Sequence, residues 1–158
     1  MSKPLLTILA SACALALPAV AHSRPITLTA QLKNYGGDGA YLAAYLTDAK
    51  GAYVRTLWVA GGKAKYYKHL SDWNRLSAGD ARRLNGVTGA SVGAGRTLKV
   101  TADLQDALID AGYEIHIDAA AEDMQDSPSE VRIPLTSANS GKPQPGKRYI
   151  QSTTLQLQ

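Results

Sequence analysis

The sequence predicts an all-β, immunoglobulin-like antiparallel β-sandwich carrying one short inserted helix. Three observations predict it. Short runs of alternating or β-branched residues recur along the chain, turn signals separate them, and a single segment shows helical periodicity instead.

Taken in order, ITLTAQL (Ile26–Leu32) places Ile26, Leu28, Ala30 and Leu32 on one face of a strand. AYLAAYL (Ala40–Leu46) and VRTLWV (Val54–Val59) are apolar runs rich in aromatic and β-branched residues. The intervening TDAKGAY carries Asp48 and Gly51, which suit a tight hairpin turn. In KAKYYKHLSDWNRLS, Tyr66, Leu70 and Trp73 fall at i, i+4 and i+7, with Leu76 close by, which predicts a helix over Lys65–Leu76. TLKVTA (Thr97–Ala102) and YEIHIDA (Tyr113–Ala119) alternate strictly. VRIPL (Val131–Leu135) contains Pro134, which places it at an edge or a strand end. SANSGKPQPGKRY (Ser137–Tyr149) reads as a long loop or crossover, and STTLQLQ closes the chain as a weaker strand.

The first residues are a leader. MSKPLLTILASACALALPAVA has one Lys, an apolar run from Leu5 to Leu17 and the small-x-small pattern Ala19-Val20-Ala21, so it reads as a secretory signal peptide (residues 1–21) cleaved after Ala21. The run is too short to span a membrane, and no other segment approaches the ~20 apolar residues a span needs. His22–Gln158 is then one domain in the periplasm, with a length that supports a core of its own. The single cysteine, Cys13, lies in the leader, which excludes disulfides, thioether haem, iron–sulfur clusters and thiolate metal sites from the mature domain. The residue three before Cys13 is Ala10 rather than a large aliphatic, which disfavours a lipoprotein. A formal net charge of +4, one unit of it from Lys3, comes without a basic tract or interleaved aromatics, so nucleic-acid binding is not indicated.

NGVTGASVGAG (Asn85–Gly95) is uncharged and built of small residues. It lacks the Lys-Ser/Thr of a phosphate-binding loop and the glycine spacing of a dinucleotide fingerprint. It presents two hydroxyls, Thr88 and Ser91, on backbone that a partner can approach closely. A plain surface turn is the competing reading. Within it, Thr88-Gly89-Ala90-Ser91 resembles the acceptor tetrad of flavin transferases, which join FMN through its phosphate to the last hydroxyl of the tetrad. The resemblance implies that Ser91 is the acceptor, with Asn85 where the motif usually has Asp. More widely, Ile26–Leu135 resembles the predicted periplasmic family known as domain of unknown function 2271. That resemblance implies a redox setting beside a flavin transferase and a transmembrane PepSY-type reductase, with some relatives tied to iron or siderophore reduction.

Around this loop, Arg82, Arg83 and Arg96 are candidates to pair with a phosphate, and Trp58, Tyr66, Tyr67 and Trp73 are candidates to stack on a flavin ring. Each has a plainer reading as solvated surface or core. Two other functions compete: a cofactor-free immunoglobulin-like interaction subunit of a periplasmic complex, and copper binding through an amino-terminal His22 with His69 or His116. Glu114, His116 and Asp118 share one face of their strand, which reads most simply as the solvated face. No serine sits in a nucleophile elbow. Amino-terminal sequencing of the exported protein is expected to begin at His22; a start at Met1 would contradict the leader.

Overall fold

A computed structural model of the chain describes residues 21–79 and 84–158. Arg82, Arg83 and residues 1–20 of the expected leader lie outside the described residues. Strands β1 (Ser23–Leu32), β5 (Thr97–Gln105), β8 (Pro143–Pro145) and β9 (Ile150–Leu157) form one sheet in the order β5-β1-β9-β8. Strands β2 (Tyr41–Thr47), β3 (Tyr53–Ala60), β4 (Thr88–Gly89), β6 (Glu114–Ala120) and β7 (Ser127–Pro134) form the other, in the order β4-β3-β2-β6-β7. All pairings are antiparallel except that of β3 with the two-residue β4.

The connectivity is immunoglobulin-like. The pairs β1–β5 and β2–β6 sit in opposite sheets, as the B–E and C–F pairs do in an immunoglobulin domain, and β3 and β7 extend the second sheet as C′ and G do. The place beside β1 that strand A would fill is held by the C-terminal β9. The hairpin joining β2 to β3 closes on Asp48, whose Oδ1 accepts from the backbone N–H groups of Lys50 at 2.8 Å and Ala52 at 2.9 Å.

Alternate residues of the two sheets build the main core: Ile26, Leu28 and Leu32 from β1, Leu42, Ala44 and Leu46 from β2, Ile115 and Ile117 from β6, with Leu155 from β9. The five-stranded sheet is buried on its other face as well. There Ala43, Tyr45 and Val59 meet Tyr67, Leu70, Trp73 and Leu84 in a second cluster. This double burial explains why AYLAAYL reads as a continuous apolar run and not an alternating one.

The expected single helix over Lys65–Leu76 is two pieces. A 3₁₀ segment, Ala64–His69, and α1, Ser71–Leu76, meet at Leu70, whose φ −84° and ψ 70° leave the helical region. The break lets the fully buried Leu70 and Trp73 both point at the sheet while Tyr67 stays over it. The Pro-rich segment expected as loop contains β8, which pairs with β9. Strand β7 begins at Ser127, earlier than expected, and lies at the sheet edge as its proline requires.

One buried carboxylate holds the crossover to the last strand. Glu130, 1% exposed, accepts at Oε1 from the N–H groups of Arg148 at 2.8 Å, Tyr149 at 2.8 Å and Ile150 at 2.9 Å, while Oε2 accepts from Ser127 Oγ. Truncation would leave backbone donors buried without acceptors, each worth roughly 1–3 kcal/mol. Glu130→Ala is therefore expected to lower the urea unfolding free energy by about 3 kcal/mol or more; a loss below about 1 kcal/mol would contradict this role.

Candidate functional site

The small-residue segment is a pinned strap. Val59 N–H donates to Val87 O at 2.8 Å and Gly61 N–H to Gly89 O at 2.7 Å, which ties residues 87–89 to the edge of β3. Three residues on from Gly89, Val92 and Ala40 exchange backbone hydrogen bonds of 2.9 and 2.7 Å. Between these anchors lie only Ala90 and Ser91, both exposed. Two glycines make the arrangement fit. A Cβ on Gly89 would lie 2.7 Å from Trp58 Cζ2, so a larger residue would lift the strap off the indole. A Cβ on Gly39 would lie 2.8 Å from Ser91 Oγ, so the neighbouring loop leaves that hydroxyl room. Thr88 and Asn85 are exposed on the same strap.

Ser91 stands on the rim of a cleft of about 550 Å³. One wall is the 3₁₀ turn, with Lys63, Tyr66 and His69; another is Ala120–Met124, where β6 turns toward β7; the third is Asp38, Gly39 and Tyr41. The rings of Tyr41 and Tyr66 meet edge-on at 5.6 Å, the Lys65 ammonium lies 4.8 Å over Tyr66, and Tyr41 Oη accepts from Lys63 N–H at 3.2 Å. His69 Nδ1, 3.2 Å from Asp126 Oδ2, links the turn to the opposite wall. The volume lies in the range of small-molecule sites.

The structure separates the four stacking candidates. Tyr66 lines the cleft. Trp73 does not: it is 1% exposed, its Nε1–H donates to Thr56 Oγ1 at 2.8 Å, and its ring packs edge-on against Tyr67. Tyr67 is buried, with its hydroxyl on Gly61 O at 2.8 Å. Trp58 packs against the main core beneath Gly89. Arg96 is exposed but does not line the cleft, whereas Lys63 does. Lys63 carries no motif and has no periodic signal in the sequence.

In the row Glu114, His116 and Asp118 only Glu114 reaches solvent; His116 and Asp118 are buried, so the face is largely covered rather than solvated. Asp118 is fully buried; its Oδ2 accepts from Trp73 N–H at 2.7 Å, and its Oδ1 from Ser129 N–H at 2.8 Å and Tyr45 Oη at 3.2 Å. His116 Nε2 lies 3.0 Å from Glu114 Oε2 and 3.3 Å from Thr47 Oγ1. Ser129 Oγ donates to Asp72 Oδ2 at 3.0 Å, and Asp72 pairs with Arg75 at 3.0 Å. Ser129 holds a φ of 45°, which turns its N–H toward Asp118. The group borders a smaller cavity of about 280 Å³. The apolar runs of β2 and β3 together with the helical stripe carry the sequence signal for this burial, since a stripe needs a sheet face to cover.

Among the described residues no group of three or more His, Asp or Glu is arranged to hold a metal ion. His22 is exposed just ahead of β1 in the four-stranded sheet, His69 is exposed on the 3₁₀ turn, and His116 is buried on β6 of the five-stranded sheet.

Burial pushes the Asp118 carboxyl above its ordinary range, against the pull of the Trp73 and Ser129 N–H groups. Burial pushes Asp72 the same way, but the Arg75 guanidinium and the Ser129 hydroxyl outweigh it and hold that carboxyl below the range. The folded chain thus binds the Asp118 proton more readily than the unfolded chain does. Its contribution favours the fold below the ordinary carboxylate range and is withdrawn as pH rises to the folded value. Asp118→Asn keeps the shape but turns an amide NH₂ toward one of the backbone donors, at a cost of roughly 1–3 kcal/mol. Urea unfolding at stepped pH is expected to show the wild type more stable than the variant, by a margin that shrinks as pH rises through that window. A margin that widens would contradict the assignment.

A family model described as "Predicted periplasmic protein (DUF2271)" matches residues 23–152. None of the curated proteins and none of the solved structures matches the chain. No helix among the described residues is long and apolar enough to cross a membrane.

Proposed function

The chain belongs to the DUF2271 family of predicted periplasmic proteins, and on that premise we propose that it is an exported electron carrier with FMN joined to Ser91 by a phosphoester. The observation that carries this reading is the placement of Ser91: an exposed hydroxyl, backbone-anchored on both sides, at the rim of a cleft. A transferase that moves the FMN phosphoryl group to Oγ must break the bond from that phosphorus to the leaving group of an activated flavin nucleotide while Oγ gives up its proton, and it gains from a hydroxyl already held in place. Gly89 supports this by letting the strap lie on Trp58, and Gly39 by leaving space at Oγ. Ala90 keeps the approach to Ser91 unobstructed, and Thr88 and Asn85 offer exposed polar groups to the enzyme. Asn85 supplies hydrogen bonds where the motif usually has a charge.

A bound flavin supplies the one- and two-electron chemistry that a mature domain without cysteine lacks. The protein's part is to tether and orient it. A covalent tether suits an exported protein, whose lost cofactor is not readily replaced. Electrons would arrive from a transmembrane PepSY-type reductase and leave to an exported acceptor, such as a ferric complex.

The intact mass of the exported protein, made with and without a flavin transferase, tests this. The expected result is a gain of one FMN less water that maps to Ser91 and disappears in Ser91→Ala, whose stability stays within about 0.5 kcal/mol of wild type. An unmodified mass beside a transferase active on another substrate would favour the cofactor-free interaction module.

A further inference from the structure

We propose that the cleft beside Ser91 is the docking site for a flavin ring system, with Tyr66 and Met124 as its apolar contacts. The tethered form of this proposal rests on Ser91 as the attachment point; the cleft itself does not.

The oxidised ring is planar and uncharged, with apolar faces, carbonyl acceptors and one imide N–H donor. The cleft offers a partner for each. Tyr66, braced edge-on by Tyr41, gives an aromatic surface, and Met124 gives a polarisable one. Lys63 is a donor for the carbonyls, and the carboxylates of Asp38, Glu122 and Asp123 are acceptors for the imide. The His69–Asp126 contact ties the turn that bears Tyr66 to the segment that follows Met124, so the two walls keep their separation. A tether on the rim raises the effective concentration of the ring at the cleft into the millimolar range, so modest complementarity suffices. The smaller cavity beside His116 is a poorer host. It has about half the volume, and His116, Ser129 and Asp72 already satisfy one another.

Riboflavin is the probe, because it lacks the phosphate and cannot be attached. Titrated with the unmodified mature protein, its fluorescence is expected to fall with saturation, and Tyr66→Ala to weaken binding about tenfold. Met124→Ala, which leaves the Tyr41–Tyr66 contact intact, is expected to weaken it too and guards against a Tyr66 variant that fails to fold. In flavinylated protein the same substitutions are expected to raise flavin emission toward that of free FMN. Riboflavin binding indifferent to both substitutions would overturn the proposal. So would a tethered flavin as bright as free FMN in the wild type. Attachment at Ser91 with a bright, undocked flavin would leave the tether standing and remove the cleft. Riboflavin binding that depends on Tyr66, in a protein no transferase modifies, would leave the cleft and remove the tether.

Discussion

The carboxylate of Asp118 is the interaction on which the outer layer of this molecule depends. It is fully buried on the outward face of the five-stranded sheet, where desolvation opposes its charge. It is tolerated because donors from three elements converge on it: Trp73 N–H at the start of α1, Ser129 N–H from β7 and Tyr45 Oη from β2. Each of those groups would otherwise be a buried donor in need of an acceptor. A short α-helix of Ser71–Leu76 has little stability of its own, so its position has to come from tertiary contacts. Asp118 supplies a directional one, and the Trp73 indole bonded to Thr56 supplies another to β3.

The consequences reach the cleft. Once α1 is fixed, the 3₁₀ turn before it has one course, with Tyr67 down against the sheet and Tyr66 out toward Tyr41. The same layer covers Val59, and Leu84 joins it from the segment that leads into the strap. The strap then pairs with β3 and crosses to Ala40, which leaves Ser91 beside the wall that Tyr66 forms. Glu130, on β7 of the same sheet, plays the corresponding part toward the other sheet, where it gathers the N–H groups of Arg148, Tyr149 and Ile150 at the entry to β9. With no cysteine among residues 22–158, these two buried carboxylates serve as polar cross-links of the fold.

The sandwich was legible because its strands carry period-two patterns and its turns carry turn residues. Ile26 to Leu32 alternates into the core as the spacing requires, and Asp48 closes its hairpin. The helical stripe was legible too, but not its break at Leu70, which satisfies the sheet below rather than any local preference. The polar row Glu114, His116 and Asp118 looked like a solvent face because charge alone does not reveal a layer folded over it. The strap's small residues looked like a loose turn because pairing with β3 is non-local and leaves no periodic trace. For the same reason Trp73 was a reasonable stacking candidate by sequence and is core in the fold, whereas Lys63 and Met124 entered the cleft without a signal.

The proposed phosphoester between FMN and Ser91 has a distinct signature in phosphorus NMR of the exported protein. A diester has lost the second ionisation, near pH 6, that a phosphomonoester retains. The expected result is one protein-bound phosphorus resonance that stays fixed between about pH 5 and pH 8 and is absent from Ser91→Ala. A resonance that shifts through that range, or none from protein made beside an active transferase, would contradict it.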